Sequence, residues 1–151
     1  MVMKSAAWLL PAALAACAFA GSAAAAEFKS VGAAPALMYD APSERGRKVF
    51  VAPRGMPVEI VLSYGEWVKV RDVAGDLSWV EARALDARRQ LIVNVASAKV
   101  HAAADSASPV VFSADHGVLL ELAEPIASGW IKVRHRDGQG GYVRASDVWG
   151  D

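Results

Sequence analysis

Four aromatic side chains stand beside cations at intervals that suit recognition. Trp67, Lys69 and Arg71 alternate with Val68 and Val70, and Trp130, Lys132 and Arg134 alternate with Ile131 and Val133. Successive side chains of a strand point to opposite faces, so each polar and aromatic triplet shares one face and the aliphatic residues share the other. Trp79 and Tyr142, each just before an inward Val80 or Val143, belong to the same outward face. Such a face can stack rings on apolar or planar groups and set cations against carboxylates, which suits an extended peptide. The same rings would serve equally in a structural protein, as the contact between two small domains or between two chains, or as a cap on either domain. The candidate ligand-binding residues here are Trp67, Trp79, Trp130, Arg134 and Tyr142.

Bond-making chemistry finds little support. His101, His116 and His135 lie far apart, with no cysteine or second histidine at metal-ligand spacing. Cys17 falls in the apolar N-terminal stretch, no serine stands in a nucleophile elbow, and the acids are scattered. No catalytic residue, metal ligand or cofactor is expected. Sixteen basic side chains (Lys+Arg 16) balance Asp+Glu 16. The chain therefore lacks the charge excess that general nucleic-acid or anionic-membrane binding uses.

The elements that position the aromatic face are written twice. Trp67, Val70, Arg71, Gly75, Trp79, Val80 and Leu85 recur at one fixed offset as Trp130, Val133, Arg134, Gly138, Tyr142, Val143 and Val148. Upstream, Phe50, Gly55 and Glu59 recur as Phe112, Gly117 and Glu121 at an offset one residue shorter. The second copy thus holds one extra residue between Glu121 and Trp130, expected in a loop. Agreement over so many positions marks a duplication. Each copy reads as short strands punctuated by turns, such as Pro53-Arg54-Gly55, Asp115-His116-Gly117 and the Asp137-Gly138 pair that suits a tight hairpin. Helical signals are weak, with room for a turn or two within Val80 to Arg89.

The N-terminus reads as a secretory signal. One positive charge at Lys4 precedes an apolar run from Ala6 to Ala20, and Ala24-Ala25-Ala26 before Glu27 presents small residues for cleavage. The run is too short for a membrane span and is broken by Pro11. An alternative processing site exists: Leu14-Ala15-Ala16-Cys17 is similar to a lipobox, which would anchor the chain through a lipid on Cys17. The apolar run continues through Ala18-Phe19-Ala20, which favours cleavage after Ala26 and a periplasmic or secreted product.

At its repeated strands the sequence resembles a tandem pair of bacterial SH3 domains. The residues that carry the likeness are Tyr39-Asp40-Ala41-Pro42-Ser43, Gly55, Gly65-Glu66-Trp67-Val68-Lys69-Val70 and Ser78-Trp79-Val80 in the first copy. Gly117, Gly129-Trp130-Ile131-Lys132-Val133 and Gly141-Tyr142-Val143 carry it in the second. Two positions depart from the pattern. Ser78 stands where Gly141 and the family have glycine, and Ala102-Ala103-Ala104-Asp105 lacks the Pro/Ser loop of the first copy. The resemblance implies an all-β protein of two small SH3-like β-barrels in tandem, half-open and of five or six strands each, after the signal peptide. It also implies no catalysis, and recognition of cell-wall peptide or a protein partner in the envelope. Tyr39 joins the candidate binding residues through its likeness to the peptide-binding loop of eukaryotic SH3 domains. The expected organisation is a signal over residues 1–26, a first domain over 27–86, a linker at 87–89 and a second domain over 90–151. Oligomeric state is left open.

Overall fold

The computed structural model describes residues 24–151, so Cys17 and most of the expected signal lie outside the described residues. The first copy contributes seven strands: β1 (Glu27–Val31), β2 (Ala36–Tyr39), β3 (Lys48–Ala52), β4 (Pro57–Tyr64), β5 (Trp67–Arg71), β6 (Leu77–Glu81) and β7 (Leu85–Asp86). The second repeats them as β8 (Gln90–Val93), β9 (Ser97–His101), β10 (Val110–Asp115), β11 (Leu119–Ala127), β12 (Trp130–Arg134), β13 (Gly140–Arg144) and β14 (Val148–Trp149). The two sheets share one order, β3-β2-β6-β5-β4-β1-β7 and β10-β9-β13-β12-β11-β8-β14, antiparallel throughout. Seven strands replace the expected five or six because the β2–β3 hairpin extends the sheet beyond β6 and a two-residue β7 closes against β1. Within the weak helical window lies a single 3-10 turn, Ala82–Ala84, matched by Ala145–Asp147.

Period-two alternation sets the faces. In β5 Val68 and Val70 are buried and Trp67, Lys69 and Arg71 half-buried; in β12 Ile131 and Val133 are buried. Each copy fills its own core, one around Met38, Val58, Val70 and Val80, the other around Leu91, Val100, Leu120, Ile131 and Val143.

The extra residue of the second copy lies in a strand, not in a loop. The pairing of β4 with β5 skips once, between Ile60 and Leu62. The pairing of β11 with β12 skips between Leu122 and Glu124 and again between Glu124 and Ala127, where Pro125 stands. Proline cannot donate to a ladder, and a bulge absorbs both it and the added residue. The hairpin beyond keeps two turn residues in both copies. Only Gly65 has positive φ in the Gly65-Glu66 turn (57°), the type II′ pattern, whereas Ser128 (55°) and Gly129 (80°) both do, the type I′ pattern.

The copies meet through residues outside the repeated aromatic row. Phe28 of β1 and Trp149 of β14 pack edge to face with ring centroids 5.0 Å apart. Arg89 places its guanidinium carbon 5.7 Å from the centre of the Phe28 ring, and its Nη2 donates to the Gly150 carbonyl at 3.0 Å. Ser30 Oγ accepts from the backbone N–H of Gln90 at 3.2 Å. Among the described residues, no helix is long and apolar enough to cross a membrane.

Candidate functional site

Strand pairing assembles the candidate face. β5 sets Trp67 opposite Glu81 and Lys69 opposite Trp79, and β2 brings Tyr39 opposite Trp79. Tyr39, only 5% exposed, packs edge to face against Trp67 with centroids 5.3 Å apart. Lys69 Nζ stands 5.9 Å from the centre of the Trp79 ring. Three of the candidate residues, Tyr39, Trp67 and Trp79, are thereby joined into one ordered patch in which a buried ring holds a half-buried one.

The second copy repeats the construction with a different partner. His101 takes the place of Tyr39, 8% exposed and edge to face with Trp130 at 5.5 Å. Its Nδ1 lies 3.0 Å from the Ser108 carbonyl. Tyr142 pairs with both Lys132 and His101. Histidine spacing alone isolates His101, but the upstream offset that matches Gly55 to Gly117 also matches Tyr39 to His101. The ring–ring contact is therefore a property of the duplication, carried by two residue types.

Charge separates the two platforms. Arg144, opposite Trp130, lies over its ring with the guanidinium carbon 5.0 Å from the centroid. The matching position beside Trp67 is Glu81, which is held by Arg83 and raises the pKa of that guanidinium further. Sequence reading missed Arg144 because strand alternation marks it only as an outward charge.

A groove of about 920 Å³ opens at Trp67, between the loop tip Pro42 to Arg45, the Gly65-Glu66 turn and the start of the 3-10 turn. Its carboxylates are Glu44, Glu66 and Glu81, set against Arg45 and Arg83. The loop tip is shaped by backbone bonds: Asp40 N–H to the Arg47 carbonyl, Ser43 N–H to that of Ala41, and Gly46 N–H to that of Ser43. The alanine-rich loop of the second copy keeps the same three bonds, from Ala102 to Pro109, Asp105 to Ala103 and Ser108 to Asp105. The missing Pro/Ser pattern thus changes the side chains offered at that loop, not its path.

Arg134 is placed differently from the rings. Its Nη2 donates to Glu121 Oε1 at 2.9 Å, as Arg71 Nη1 does to Glu59 Oε2 at 2.9 Å, and it borders the cleft between the copies. The Ser78 departure also has a local cause. A Cβ on Gly141 would stand 2.4 Å from the His101 carbonyl oxygen and 2.9 Å from Val100 Cγ1. In the first copy unbranched Met38 replaces Val100, and the Ser78 hydroxyl reaches its Sδ at 3.2 Å.

The family model described as bacterial SH3 domain matches residues 32–87 and again 94–150, and the chain belongs to that family. It is a tandem pair of bacterial SH3 domains, a class of binding module. Among solved structures, NlpC1 from Trichomonas vaginalis is similar with a TM-score of 0.40 at 13% identity, over 95% of this chain and 51% of that one. NlpC2 from the same organism gives 0.39 at 11% identity, over 84% and 49%. An NlpC/P60 family protein from Bacillus cereus ATCC 10987 gives 0.36 at 14% identity, over 82% and 56%. The chain spans about half the length of these structures. No curated protein matches it.

Proposed function

We propose that the chain is an exported, non-catalytic module that recognises an extended peptide, of the cell wall or of an envelope protein, in the groove at Trp67. The observation that carries this reading is the Tyr39–Trp67 contact: a buried ring fixes a half-buried one at the edge of a groove. A ring ordered before binding loses little entropy on binding, so its stacking contributes fully to affinity. Among the described residues Glu44, Glu66 and Arg45 form no ion pair, so the groove keeps one more free carboxylate than free cation, which favours a peptide bearing a cationic group. Export is supported by the basic start, the apolar run and Ala24-Ala25-Ala26 before Glu27. Membership of a bacterial SH3 family agrees with an envelope location.

The test is titration of the purified chain with soluble peptidoglycan fragments, followed by tryptophan fluorescence and calorimetry. Saturable binding that Trp67→Ala weakens, with the fold intact, supports the proposal. Absence of binding at millimolar fragment would sink it for the cell-wall peptide.

A structural role in chain–chain packing is the second reading, and one observation favours it. Edge strand β3 exposes Val49, Phe50 and Val51 at 45%, 48% and 58%, a template for strand pairing. Sedimentation of the chain over a wide concentration range separates the two: self-association abolished by Phe50→Lys is the signature of packing.

A further inference from the structure

A cleft of about 890 Å³ runs between the two domains, with walls from both. Four guanidinium groups border it: Arg54 from the turn before β4, Arg88 from the linker, Arg134 from the end of β12 and Arg136 from the hairpin turn beyond. Its two carboxylates are engaged. Glu121 accepts from Arg134 at 2.9 Å, and Asp86 accepts from the backbone N–H of Arg88 at 2.7 Å. Arg54, Arg88 and Arg136 are exposed and form no ion pair among the described residues. The whole chain has a net charge of +0, so this positive concentration is local.

The duplication supplies an internal control. The positions matching Arg54, Arg88 and Arg136 in the other copy hold His116, Asp151 and Val73. The same fold is built with those residues, so folding does not account for the three arginines. Arg134 behaves oppositely: its counterpart Arg71 exists and makes the same cross-strand pair, which marks that arginine as part of the repeated frame. The domains touch through Phe28 and Trp149, and both walls of the cleft come close where a Cβ added to Gly55 would stand 3.4 Å from Leu119 Cδ1. The three unpaired guanidiniums are therefore carried on two turns and the linker, whose spacing the interdomain contact holds.

A guanidinium presents a planar fork of donors that matches a carboxylate or phosphate with two hydrogen bonds. Three positive charges without an ion pair around one cleft exceed the single charge of a carboxylate and the roughly −1.5 to −2 of a phosphate monoester. We infer that the interdomain cleft binds a small ligand carrying two or more oxyanion groups, carboxylate or phosphate. Neither domain alone contains the site; the tandem arrangement creates it, separately from the Trp67 groove.

The experiment is calorimetric titration of the intact tandem chain at low ionic strength with citrate, with pyrophosphate and with acetate. Citrate or pyrophosphate is expected to bind, acetate to bind at least about tenfold more weakly, and added salt to weaken all of them. Whichever of the two multivalent anions binds more tightly identifies carboxylate or phosphate as the natural group. Arg136→Ala, and independently the Arg54→Ala/Arg88→Ala double variant, should each weaken binding about tenfold with an unchanged melting temperature. Lys99→Ala, which removes a cation on β9 away from the cleft, should leave it unchanged. Failure of both multivalent anions to bind at millimolar concentration overturns the inference. So does a loss in Lys99→Ala equal to that in the arginine variants, which would reduce the effect to overall charge.

Discussion

Arg144 lies over the face of Trp130, its guanidinium carbon 5.0 Å from the ring centroid, and so supplies from within the chain the cation that an aromatic face attracts. The matching position beside Trp67 is the carboxylate of Glu81. One duplicated platform therefore meets two charge environments, with the second domain's ring already occupied and the first domain's ring bordering an open groove. Trp67→Ala is expected to weaken binding of a peptidoglycan fragment by about 1 to 3 kcal/mol, and Trp130→Ala by clearly less. Calorimetry on both variants, with thermal melts to verify folding, checks this; equal losses would mean that the two platforms act alike.

Gly141 and Ser78 occupy one position of the repeat but answer to different neighbours. Because a Cβ on Gly141 would meet the His101 carbonyl oxygen at 2.4 Å, Gly141→Ala should cost about 2 kcal/mol or more as β9 and β13 are forced apart. Ser78→Ala should cost about 1 kcal/mol or less, since it loses only a weak contact to a thioether. Chemical denaturation of the two variants is the measurement, and the reverse ranking would refute the assignment of close strand approach to the second domain alone.

The contact between the domains rests on rings that the repeat does not contain. Phe28 matches Gln90 in the other copy and Trp149 matches Asp86, so only one pairing of the two domains brings ring to ring. Trp149→Ala removes the edge-to-face contact with Phe28 and should destabilise the tandem by about 1 to 3 kcal/mol. Loss of coupling should also broaden or split the thermal transition, which calorimetry would register. A single transition of unchanged midpoint would show that the domains are held by the linker only.

Strand faces were legible because Val68, Val70, Ile131 and Val133 alternate with polar neighbours, and a sheet with one buried face imposes that period. All four are buried in the structure. The ring pairs were not legible as contacts, since β2 and β5 are separated by β6 in the sheet and no local pattern announces a meeting across it. His101 was recoverable from its register with Tyr39, whereas Arg144 required the cross-strand partner of Trp130. The interdomain contact was hidden for a different reason: a repeat reveals what two copies share, and Phe28, Arg89 and Trp149 are what they do not.

Core and surface of the same strand should respond differently. Val70 and Val133 are each 1% exposed, so truncation to alanine opens a void that a small barrel cannot close, at a cost of about 2 kcal/mol. Lys69→Ala, on the opposite face, should cost about 0.5 kcal/mol or less, its ammonium standing 5.9 Å from the Trp79 ring in partial contact with solvent. Denaturant midpoints for the three variants decide it, and equal losses would contradict the strand faces described above.

Acid should loosen one turn at the cleft. The Asp137 carboxyl is held below the ordinary carboxylate range, first by the backbone N–H of Gln139, which donates to its Oδ1 at 2.9 Å, and then by the His135 ring 3.1 Å away. A carboxylate with a depressed folded pKa contributes its stabilisation above its unfolded value, about 3.9, and loses it as the pH falls through the lower folded value. The melting temperatures of the parent protein and of Asp137→Asn should therefore differ above about pH 4 and converge in stronger acid. A difference that stayed constant across that range would show that the ionised carboxylate has no part in holding the Arg136 turn.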